Sequence, residues 1–311
     1  MGSEMCIRDR ITVVPVPGPG AEDVLVDAKG HVWTGTDDGS ILRLTHDGDL
    51  VERVANTGGR PLGLEFLGDG RVLVCDADRG LLALDPATRE VETLVTSIEG
   101  RRMRFCNNAS VAADGAVYFS DTSLRFGVAQ WKSELIETTC TGRLLVRRAD
   151  GEVDVLCEGL DFANGVALAP DESFVAVAET GARTVVRHWL TGARAGDVDY
   201  LAEDLPGYPD NISLGTDGLI WVTIASPTDA VLETLKQAPT VLRRTARRLP
   251  DAVQPRPKRT ARVIALRPDG TQVHDRSFDA AGWHMATGVR EHHGRVWLGS
   301  LVQPAVAWFD L

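Results

Sequence analysis

Hydrophobic and polar residues alternate along this chain in six similar segments, and each segment predicts a small antiparallel sheet. Every segment has an alternating strand, a turn, a second strand rich in Val, Trp, Tyr and Phe, a polar break and a third strand. Repeats of about 40–50 residues with roughly four strands each are typical of propellers. The sequence therefore predicts an all-β fold, a six-bladed β-propeller. Its turns fall at Gly30, Gly70, Gly115, Glu172, Gly218 and Gly294, with spacings of 40, 45, 57, 46 and 76 residues.

The last segment shows only three strands before the chain reaches Leu311, so one strand of the ring has to come from elsewhere. The unpaired stretch at residues 11–16 can supply it, and pairing with the last blade would remove the open sheet edge. We therefore predict a single propeller domain over residues 11–311. Residues 1–10, MGSEMCIRDR, do not fit the pattern and lack the apolar region of a signal peptide. We interpret them as a non-native or disordered head.

Two insertions interrupt the repeat. Residues 226–262 break the fifth segment, and their apolar positions predict a short helical insertion, two helices divided by Pro239. This insertion is basic in an acidic chain, and three interpretations stay open: a lid over one mouth of the channel, a contact with a membrane surface, or a solvated structural cap. A shorter apolar insertion at residues 123–141 either walls a pocket or fills a gap between blades.

Composition and charge disfavour several classes of partner and binding site. The net charge of −11 and the pI near 5.1 disfavour nucleic acid as a partner, and no apolar run approaches the length of a transmembrane segment. The oligomeric state is left open. Cys75, Cys106, Cys140 and Cys157 form no CxxC pair, which argues against a zinc–thiolate site. We expect buried free thiols and a cytoplasmic location.

Four oxygen-bearing residues occupy the same position in their repeats. Glu22, Asn107, Asn164 and Asp210 each stand at the start of the first inner strand. Equivalent positions of successive blades surround the axis at one height, so these side chains should converge. Two carboxylates and two amide oxygens form the hard ligand set that Ca²⁺ prefers, with Mg²⁺, Mn²⁺ and Zn²⁺ as alternatives.

The neighbours of these residues leave two questions open. Asn108 and Asn211 stand beside proposed ligands, and either can add a ligand or a supporting hydrogen bond. Asn and Asp are also common where a loop meets a strand, so turn chemistry is the alternative explanation. Residues 61–63 and 286–288 fill the same position in the other two segments and carry no ligand.

The motifs GRPLGLEF, NNASVAADGAVYFSDTS, FANGVALAPDESFVAVAET, GYPDNIS and EHHGRVWLGS resemble, in this order, the strictosidine synthase-like branch of the calcium-dependent six-bladed propellers. That superfamily includes gluconolactonases, paraoxonases and the adipocyte plasma membrane-associated proteins. The resemblance covers roughly residues 22–311. It implies that the family's metal positions fall on Glu22, Asn107, Asn164 and Asp210, and that the chain is a lactonase or arylesterase acting on a small-molecule ester or lactone.

The chain departs from individual members of that superfamily. Thr287 stands where strictosidine synthase has a catalytic Glu, so its condensation is not expected, and Leu62 replaces the His of paraoxonases. In the mechanism that the resemblance implies, calcium polarises the carbonyl while Asp210 or Glu22 takes a proton from water. His284, before the sixth inner strand, is the candidate auxiliary acid or base.

Two rival functions remain beside the hydrolase. A propeller can serve as a ligand- or protein-binding platform without catalysis, because fold does not fix function. A bond-forming enzyme is the second rival, which Thr287 disfavours. A serine hydrolase is disfavoured because the chain lacks a GxSxG motif.

Overall fold

The computed structural model describes residues 11–48, 51–250, 253–278 and 282–311, so the predicted head lies outside the described residues. Six four-stranded antiparallel sheets are arranged as the blades of a propeller, which confirms the predicted fold class. The inner strands of neighbouring blades contact one another from blade two round to blade six and on to blade one, and the inner strand of blade two contacts the second strand of blade one. Residues at equivalent positions of the inner strands therefore lie around one central channel.

The strands follow the repeat. Blade one contains β2 (Leu25–Val26), β3 (Val32–Gly35), β4 (Ser40–Leu44) and β5 (Val51–Asn56). Blade two contains β6 (Pro61–Phe66), β7 (Val72–Asp76), β8 (Gly80–Leu84) and β9 (Val91–Val95), followed by a two-stranded ribbon of β10 (Ser97–Ile98) and β11 (Arg101–Arg102). Blade three contains β12 (Cys106–Val111), β13 (Val117–Asp121), β14 (Gly142–Arg147) and β15 (Val153–Leu160).

The second half of the ring has the same order. Blade four contains β16 (Ala163–Leu168), β17 (Phe174–Glu179), β18 (Thr184–Trp189) and β19 (Val198–Ala202). Blade five contains β20 (Gly207–Leu214), β21 (Ile220–Pro227), β22 (Ala261–Leu266) and β23 (Gln272–Phe278). Blade six contains β24 (Ala286–His292), β25 (Arg295–Ser300), β26 (Ala305–Asp310) and, as its outer strand, β1 (Thr12–Pro15).

The first and last strands close the ring as predicted. β1 pairs antiparallel with β26, with Thr12 opposite Trp308 and Val14 opposite Val306. Val14 points into the core at 7% exposure, whereas Val13 is 44% exposed. The chain ends are therefore held in one sheet, in which β1 covers the edge of β26.

The hydrophobic core lies between adjacent blades. Strands β7, β8 and β17 are buried at every position, because a neighbouring blade covers each face of these middle strands. Ala176 and Ala178 of blade four, for example, pack in one cluster with Val222 and Ile224 of blade five. Burial of continuous apolar runs is thus the reason why each blade needs two neighbours.

The six predicted turn residues all adopt a left-handed backbone conformation. Five are glycines, for which this conformation carries little cost. Glu172 is the exception, with φ 54°. Its carboxylate accepts a hydrogen bond of 2.8 Å from the backbone N–H of Ala113 in blade three, so the strained turn also ties two blades together.

The inner strands of five blades share a β-bulge near their start. The pairing register shifts within β6, β12, β16, β20 and β24. Glycine is required at this level in three blades. A Cβ on Gly63 would lie 2.6 Å from Cα of Asn108, and one on Gly165 would lie 2.1 Å from the nitrogen of Ile212. The bulge redirects side chains at the axis, and glycine permits the close approach of the neighbouring strand.

Three short helices lie in the two insertions. α1 (Trp131–Glu137) follows a 3-10 turn in blade three, and α2 (Ala230–Lys236) and α3 (Thr240–Ala246) lie on either side of Pro239 in blade five. The Asp229 carboxylate caps α2 by accepting a 2.9 Å hydrogen bond from the N–H of Leu232. The three helices contact one another. None of the helices in the described part of the chain is long and apolar enough to cross a bilayer.

Four cysteines in the described residues are free thiols. Cys75 and Cys106 are buried, as expected. The same expectation is wrong for Cys140, which is exposed, and Cys157 is only partly buried. Cys140 lies in the loop after α1 rather than in a strand, so no neighbouring blade covers it. The cytoplasmic location stays a prediction.

Candidate metal centre

The four predicted ligands line one cavity at the axis. Asn107, Asn164 and Asp210 stand at the bulges of β12, β16 and β20, and Glu22 precedes β2. All four border a cavity of about 860 Å³, a volume that includes the solvent at its mouth. Glu22, Asn107 and Asn164 are buried, and Asp210 is partly exposed to the cavity. The structure thus brings together residues that span about three-fifths of the sequence.

Threonine hydroxyls fix the orientation of both amides. The Nδ2 of Asn107 donates to Oγ1 of Thr122 at 2.9 Å, and that of Asn164 donates to Oγ1 of Thr180 at 3.0 Å. Each hydroxyl uses its own proton on a backbone carbonyl of the following blade, at Ala163 or Pro209, in both cases at 2.7 Å. A hydroxyl has one proton, so it can only accept from the amide. The amide nitrogens are therefore engaged and the amide oxygens are left over.

These left-over oxygens are buried without a partner. Neither Oδ1 of Asn107 nor Oδ1 of Asn164 has a hydrogen-bond partner within the described residues, and the same holds for Oε2 of Glu22. An unsatisfied buried acceptor costs roughly 1–3 kcal/mol. Three such acceptors at one cavity fit a cation that would accept their lone pairs.

Contacts from other blades hold Glu22 in place. Its Oε1 accepts a hydrogen bond of 3.0 Å from Nδ2 of Asn211, and its backbone carbonyl accepts one of 2.8 Å from Oγ1 of Thr287. Thr287 therefore positions the backbone of a candidate ligand.

The buried carboxylates of the site also favour a bound cation. Burial, together with repulsion from Asp210 and Asp23, holds the pKa of Glu22 well above its usual range. Burial raises the pKa of Asp210 to about 7, although a hydrogen bond from Asn164 acts in the opposite direction. Burial likewise raises the pKa of Asp23, directly behind Glu22, to about 6. A divalent ion at this place would stabilise the charged form of each carboxylate.

The donor set matches a hard ion. No group of three or more His, Cys, Asp and Glu side chains that could hold a metal occurs among the described residues. The candidate centre has only two such residues, because half of its donors are amide oxygens. An all-oxygen set favours Ca²⁺ over Zn²⁺, which usually takes nitrogen or sulfur ligands.

The two neighbouring amides do not border the cavity. Oδ1 of Asn108 accepts a 2.9 Å hydrogen bond from the N–H of Val166, and its Nδ2 lies 3.4 Å from a carboxylate oxygen of Asp23. Asn108 therefore joins blades behind the centre. The structure thus favours the supporting role for Asn108. Asn211 supports Glu22 through its Nδ2, as described above, while its Oδ1 is buried without a partner among the described residues.

His284 is not brought to the cavity either. Its Nδ1 lies 2.9 Å from Nε2 of Gln303, and its backbone carbonyl accepts a 2.8 Å hydrogen bond from Oγ of Ser300. Burial lowers its pKa, and the charge of Arg259 acts in the same direction. The next residue, Met285, borders the cavity instead.

The walls of the cavity are apolar and aromatic. Phe105, Phe162 and Tyr208 border it, and each stands two positions before a candidate ligand. Phe105 and Phe162 meet edge to face, with ring centroids 5.7 Å apart. Sequence reasoning missed these residues, although the signal was present in the repeat, because an aromatic residue stands two positions before the candidate ligand in three successive blades.

Both insertions contribute side chains to the wall of the cavity that the candidate ligands border. Trp131, Leu135 and Ile136 of α1 border the cavity, and so does Leu232 of α2. The last part of the longer insertion contributes Pro255, Arg256 and Pro257. Of the two interpretations of residues 123–141, the pocket wall agrees with this arrangement.

Ion pairs hold the helices over the cavity. Glu137 of α1, whose side chain is buried, pairs with Arg247 after α3 and with Arg125 at 3.0 Å. Nζ of Lys236 at the end of α2 lies 3.0 Å from the carboxylate of Asp161 in blade four. Both pairs are shielded from solvent on at least one side, so they restrain the helices more than exposed pairs would.

The sequence matches two family models. One described as strictosidine synthase matches residues 107–193, and one described as strictosidine synthase-like, N-terminal, matches residues 9–44. The first match contains two of the four candidate ligands and the second contains Glu22.

Two curated relatives match nearly the whole chain. The adipocyte plasma membrane-associated protein of Danio rerio is 34% identical over 305 residues, which cover 90% of this chain and 72% of the relative. Strictosidine synthase-like protein 6 of Arabidopsis thaliana is 31% identical over 290 residues, which cover 91% of this chain and 76% of the relative.

Solved structures share the fold at lower identity. A gluconolactonase from Xanthomonas campestris superposes with a TM-score of 0.71 at 16% identity, covering 100% of this chain and 93% of that one. Regucalcin from Agrobacterium tumefaciens, a calcium-binding protein, superposes with a TM-score of 0.66 at 15% identity, covering 97% and 93%. From the extent and identity of its relatives, the chain belongs to the strictosidine synthase-like family of six-bladed propellers.

Proposed function

We propose that this protein is a calcium-dependent hydrolase of lactones or aryl esters. The observation that carries the proposal is the cluster of three partnerless buried oxygens, from Glu22, Asn107 and Asn164, beside Asp210 at the base of an apolar cavity. A binding platform would not need buried, unsatisfied acceptors on residues that border one cavity, because each of them costs stability.

A calcium ion held by these four side chains would supply a Lewis acid for the substrate carbonyl. Asp210 is the better base for the water molecule, because it is the carboxylate that the cavity partly exposes. Glu22 is buried, and Asn211 occupies one of its oxygens. Asp210 would accordingly be both a ligand and the proton acceptor, and Glu22 a ligand only.

The aromatic walls indicate which group the substrate carries next to its carbonyl. Phe105 and Phe162 offer their ring surfaces to an acyl or aryl group, and Trp131 of α1 borders the same space. Apolar walls also exclude bulk water, which strengthens the electrostatic interactions at the base of the cavity. The likeness of fold to a gluconolactonase and to a calcium-binding protein supports the same assignment.

The test combines metal analysis with an activity panel. Protein purified without added metal is analysed for bound ions, and hydrolysis of lactones and aryl esters is measured with chelator and after return of Ca²⁺, Mg²⁺, Mn²⁺ or Zn²⁺. We expect activity that chelator abolishes and Ca²⁺ restores. Asp210→Ala and Asn164→Ala should each lose most of the bound ion and most of the hydrolysis, whereas Asn56→Ala, at an exposed amide in blade one, should retain both.

The alternative function is that of a ligand-binding or bond-forming propeller. The family membership of the chain supports it, since the relatives include strictosidine synthase-like proteins. Against the bond-forming reaction stands Thr287, whose hydroxyl is engaged with the backbone of Glu22. Stoichiometric calcium binding without hydrolysis of any panel substrate would contradict the hydrolase and favour this alternative.

A further inference from the structure

The outer face of α3 exposes apolar side chains. On its inner side, Ala246 packs against the cluster that contains Leu232 of α2, and Arg247 pairs with Glu137. These contacts fix the rotation of the helix. We call the opposite side, formed by Val241, Leu242 and Thr245 of α3 and by Arg248 and Leu249 in the turn that follows it, the outer face.

The exposure of this face is high for large apolar residues. Val241 is 73% exposed, Leu242 56% and Leu249 47%. Val231 of α2 and Val253, both in the same insertion, are each 65% exposed. Among the described residues, five of the eleven exposed large hydrophobic side chains therefore lie within residues 226–262. Such a concentration marks an interaction surface rather than scattered surface residues.

The charge of the insertion is opposite to that of the chain. Residues 226–262 contain nine Lys and Arg against three Asp and Glu, although the whole protein carries a net charge of −11. Arg244 and Arg248 are exposed beside the apolar side chains of the outer face, and Arg256, Lys258 and Arg259 are exposed further along. Apolar side chains flanked by arginine and lysine are the composition of helices that lie on anionic membranes.

We propose that the outer face docks onto the surface of a bilayer that contains anionic lipids. The apolar side chains enter the boundary between headgroups and acyl chains, and the basic side chains contact the headgroups. A second copy of the chain fits the face less well, because a symmetric contact would bring two basic segments together. Acidic lipid headgroups complement the face, whereas the acidic remainder of the protein is repelled by them.

Docking in this way would place the mouth of the cavity at the lipid. Pro255, Arg256 and Pro257 border the cavity and belong to the same insertion as the outer face. Substrates dissolved in the bilayer would then reach the cavity without crossing bulk water. This last consequence rests on the proposed function; the docking itself does not.

Vesicle binding tests the proposal. The purified chain is sedimented with phosphatidylcholine vesicles that either contain or lack phosphatidylglycerol, at low and at high salt. We expect binding only to the anionic vesicles, weakened by salt because exposed charges are screened. The double variant Val241→Ser/Leu242→Ser should lower the partition coefficient about tenfold, since the side chains lose apolar burial. Arg244→Gln/Arg248→Gln should lower it by a similar factor.

A matched control separates this face from other exposed apolar residues. Val198 and Tyr200 on β19 of blade four are 51% and 50% exposed, so Val198→Ser/Tyr200→Ser removes a comparable surface elsewhere. That variant should bind vesicles as the unmodified chain does. Thermal unfolding of every variant confirms that the fold is retained.

Three results would overturn the proposal. The first is an unmodified chain that stays in the supernatant with anionic vesicles. The second is an equal loss of binding in the β19 control. The third is a concentration-dependent dimer, seen by sedimentation in the absence of lipid, that Val241→Ser/Leu242→Ser abolishes; that result would assign the face to a second copy of the chain. Hydrolysis by the lipid-free protein is measured separately, so failure of docking and failure of the proposed function are distinguishable.

Discussion

Glu22 and Asn211 are joined by a hydrogen bond of 3.0 Å although 189 residues separate them in the sequence. The bond connects the segment before blade one to the inner strand of blade five. Asn211 is the neighbour of Asp210, so one amide side chain links the two acidic candidate ligands. The geometry of the centre therefore depends on the closed ring and not on any one blade.

Replacement of Asp210 by Asn should stabilise the metal-free protein at neutral pH. The pKa of Asp210 is raised to about 7 by burial, so the folded state binds the proton more tightly than the unfolded state. Its contribution to stability is complete below about pH 4 and is lost as the pH rises through about 7. With chelator present, we expect the unmodified protein to lose melting temperature over this window and Asp210→Asn to lose less. At neutral pH, the free energy of unfolding of the variant should be higher by on the order of 1–3 kcal/mol.

Calcium should reverse the order of stability of the unmodified protein and Asp210→Asn. It stabilises only a folded state that binds it, so the melting temperature of unmodified protein should rise while that of Asp210→Asn hardly changes. Glu134→Gln is the control, because Glu134 is a buried carboxyl of α1 whose oxygens bind Ser123 and Thr139. It should keep the calcium response. An equal calcium response in Asp210→Asn would remove Asp210 from the centre.

Thr180→Val should weaken metal binding although it replaces no candidate ligand. The hydroxyl orients the amide of Asn164 and bonds the carbonyl of Pro209. Loss of such support typically costs ten- to a hundredfold in metal affinity, and we expect about tenfold, measured by calorimetric titration. Thr184→Val removes a comparable hydrogen bond, to Glu179 at 2.9 Å, away from the cavity. If both variants lose affinity equally, the effect comes from general destabilisation.

A charge on the inner face of β1 should open the ring. Val14→Asp places a carboxylate among buried apolar side chains and should lower stability by about 2–4 kcal/mol. Val13→Asp, one position earlier on the exposed face of the same strand, should cost less than about 1 kcal/mol. Denaturant unfolding of the two variants measures the difference. Similar losses would show that the pairing with β26 contributes little.

Replacement of residues 230–250 by a short glycine-rich turn should change substrate preference and leave the metal bound, because no candidate ligand lies in that segment. Asp161→Asn accompanies the change, since removal of Lys236 leaves the Asp161 carboxylate without its cation. We expect hydrolysis of bulky aryl esters to change several-fold relative to small lactones. An unchanged activity profile in a protein that still responds to calcium would make the segment a structural cap.

The periodic part of the architecture could be predicted from the sequence, because alternation and turn residues act locally. Glu172 was placed at a turn by its spacing alone, and it has the left-handed conformation of the glycines at the other five turns. The convergence of Glu22, Asn107, Asn164 and Asp210 followed from their common position in the repeat.

The orientation of side chains at that position could not be predicted. Asn107 and Asn108 are neighbours in sequence and both buried, yet one borders the cavity and the other joins two blades. The bulge in β12 separates their directions, and a bulge leaves no mark in the alternation pattern. His284 was proposed for its chemistry, but a contact with Gln303 holds its ring, and only the folded chain reveals that contact.

The pairing of β1 with β26 also has a consequence for synthesis of the protein on the ribosome. The first strand leaves the exit tunnel early, but its partner in the sheet is translated only after the other five blades. Blade six can therefore form only after Ala305–Asp310 has been translated, and until then blades one and five each present an apolar face without a neighbour. The bond between Glu22 and Asn211 likewise cannot form before blade five has been translated. We expect this protein to depend on chaperones in the interval before the ring closes.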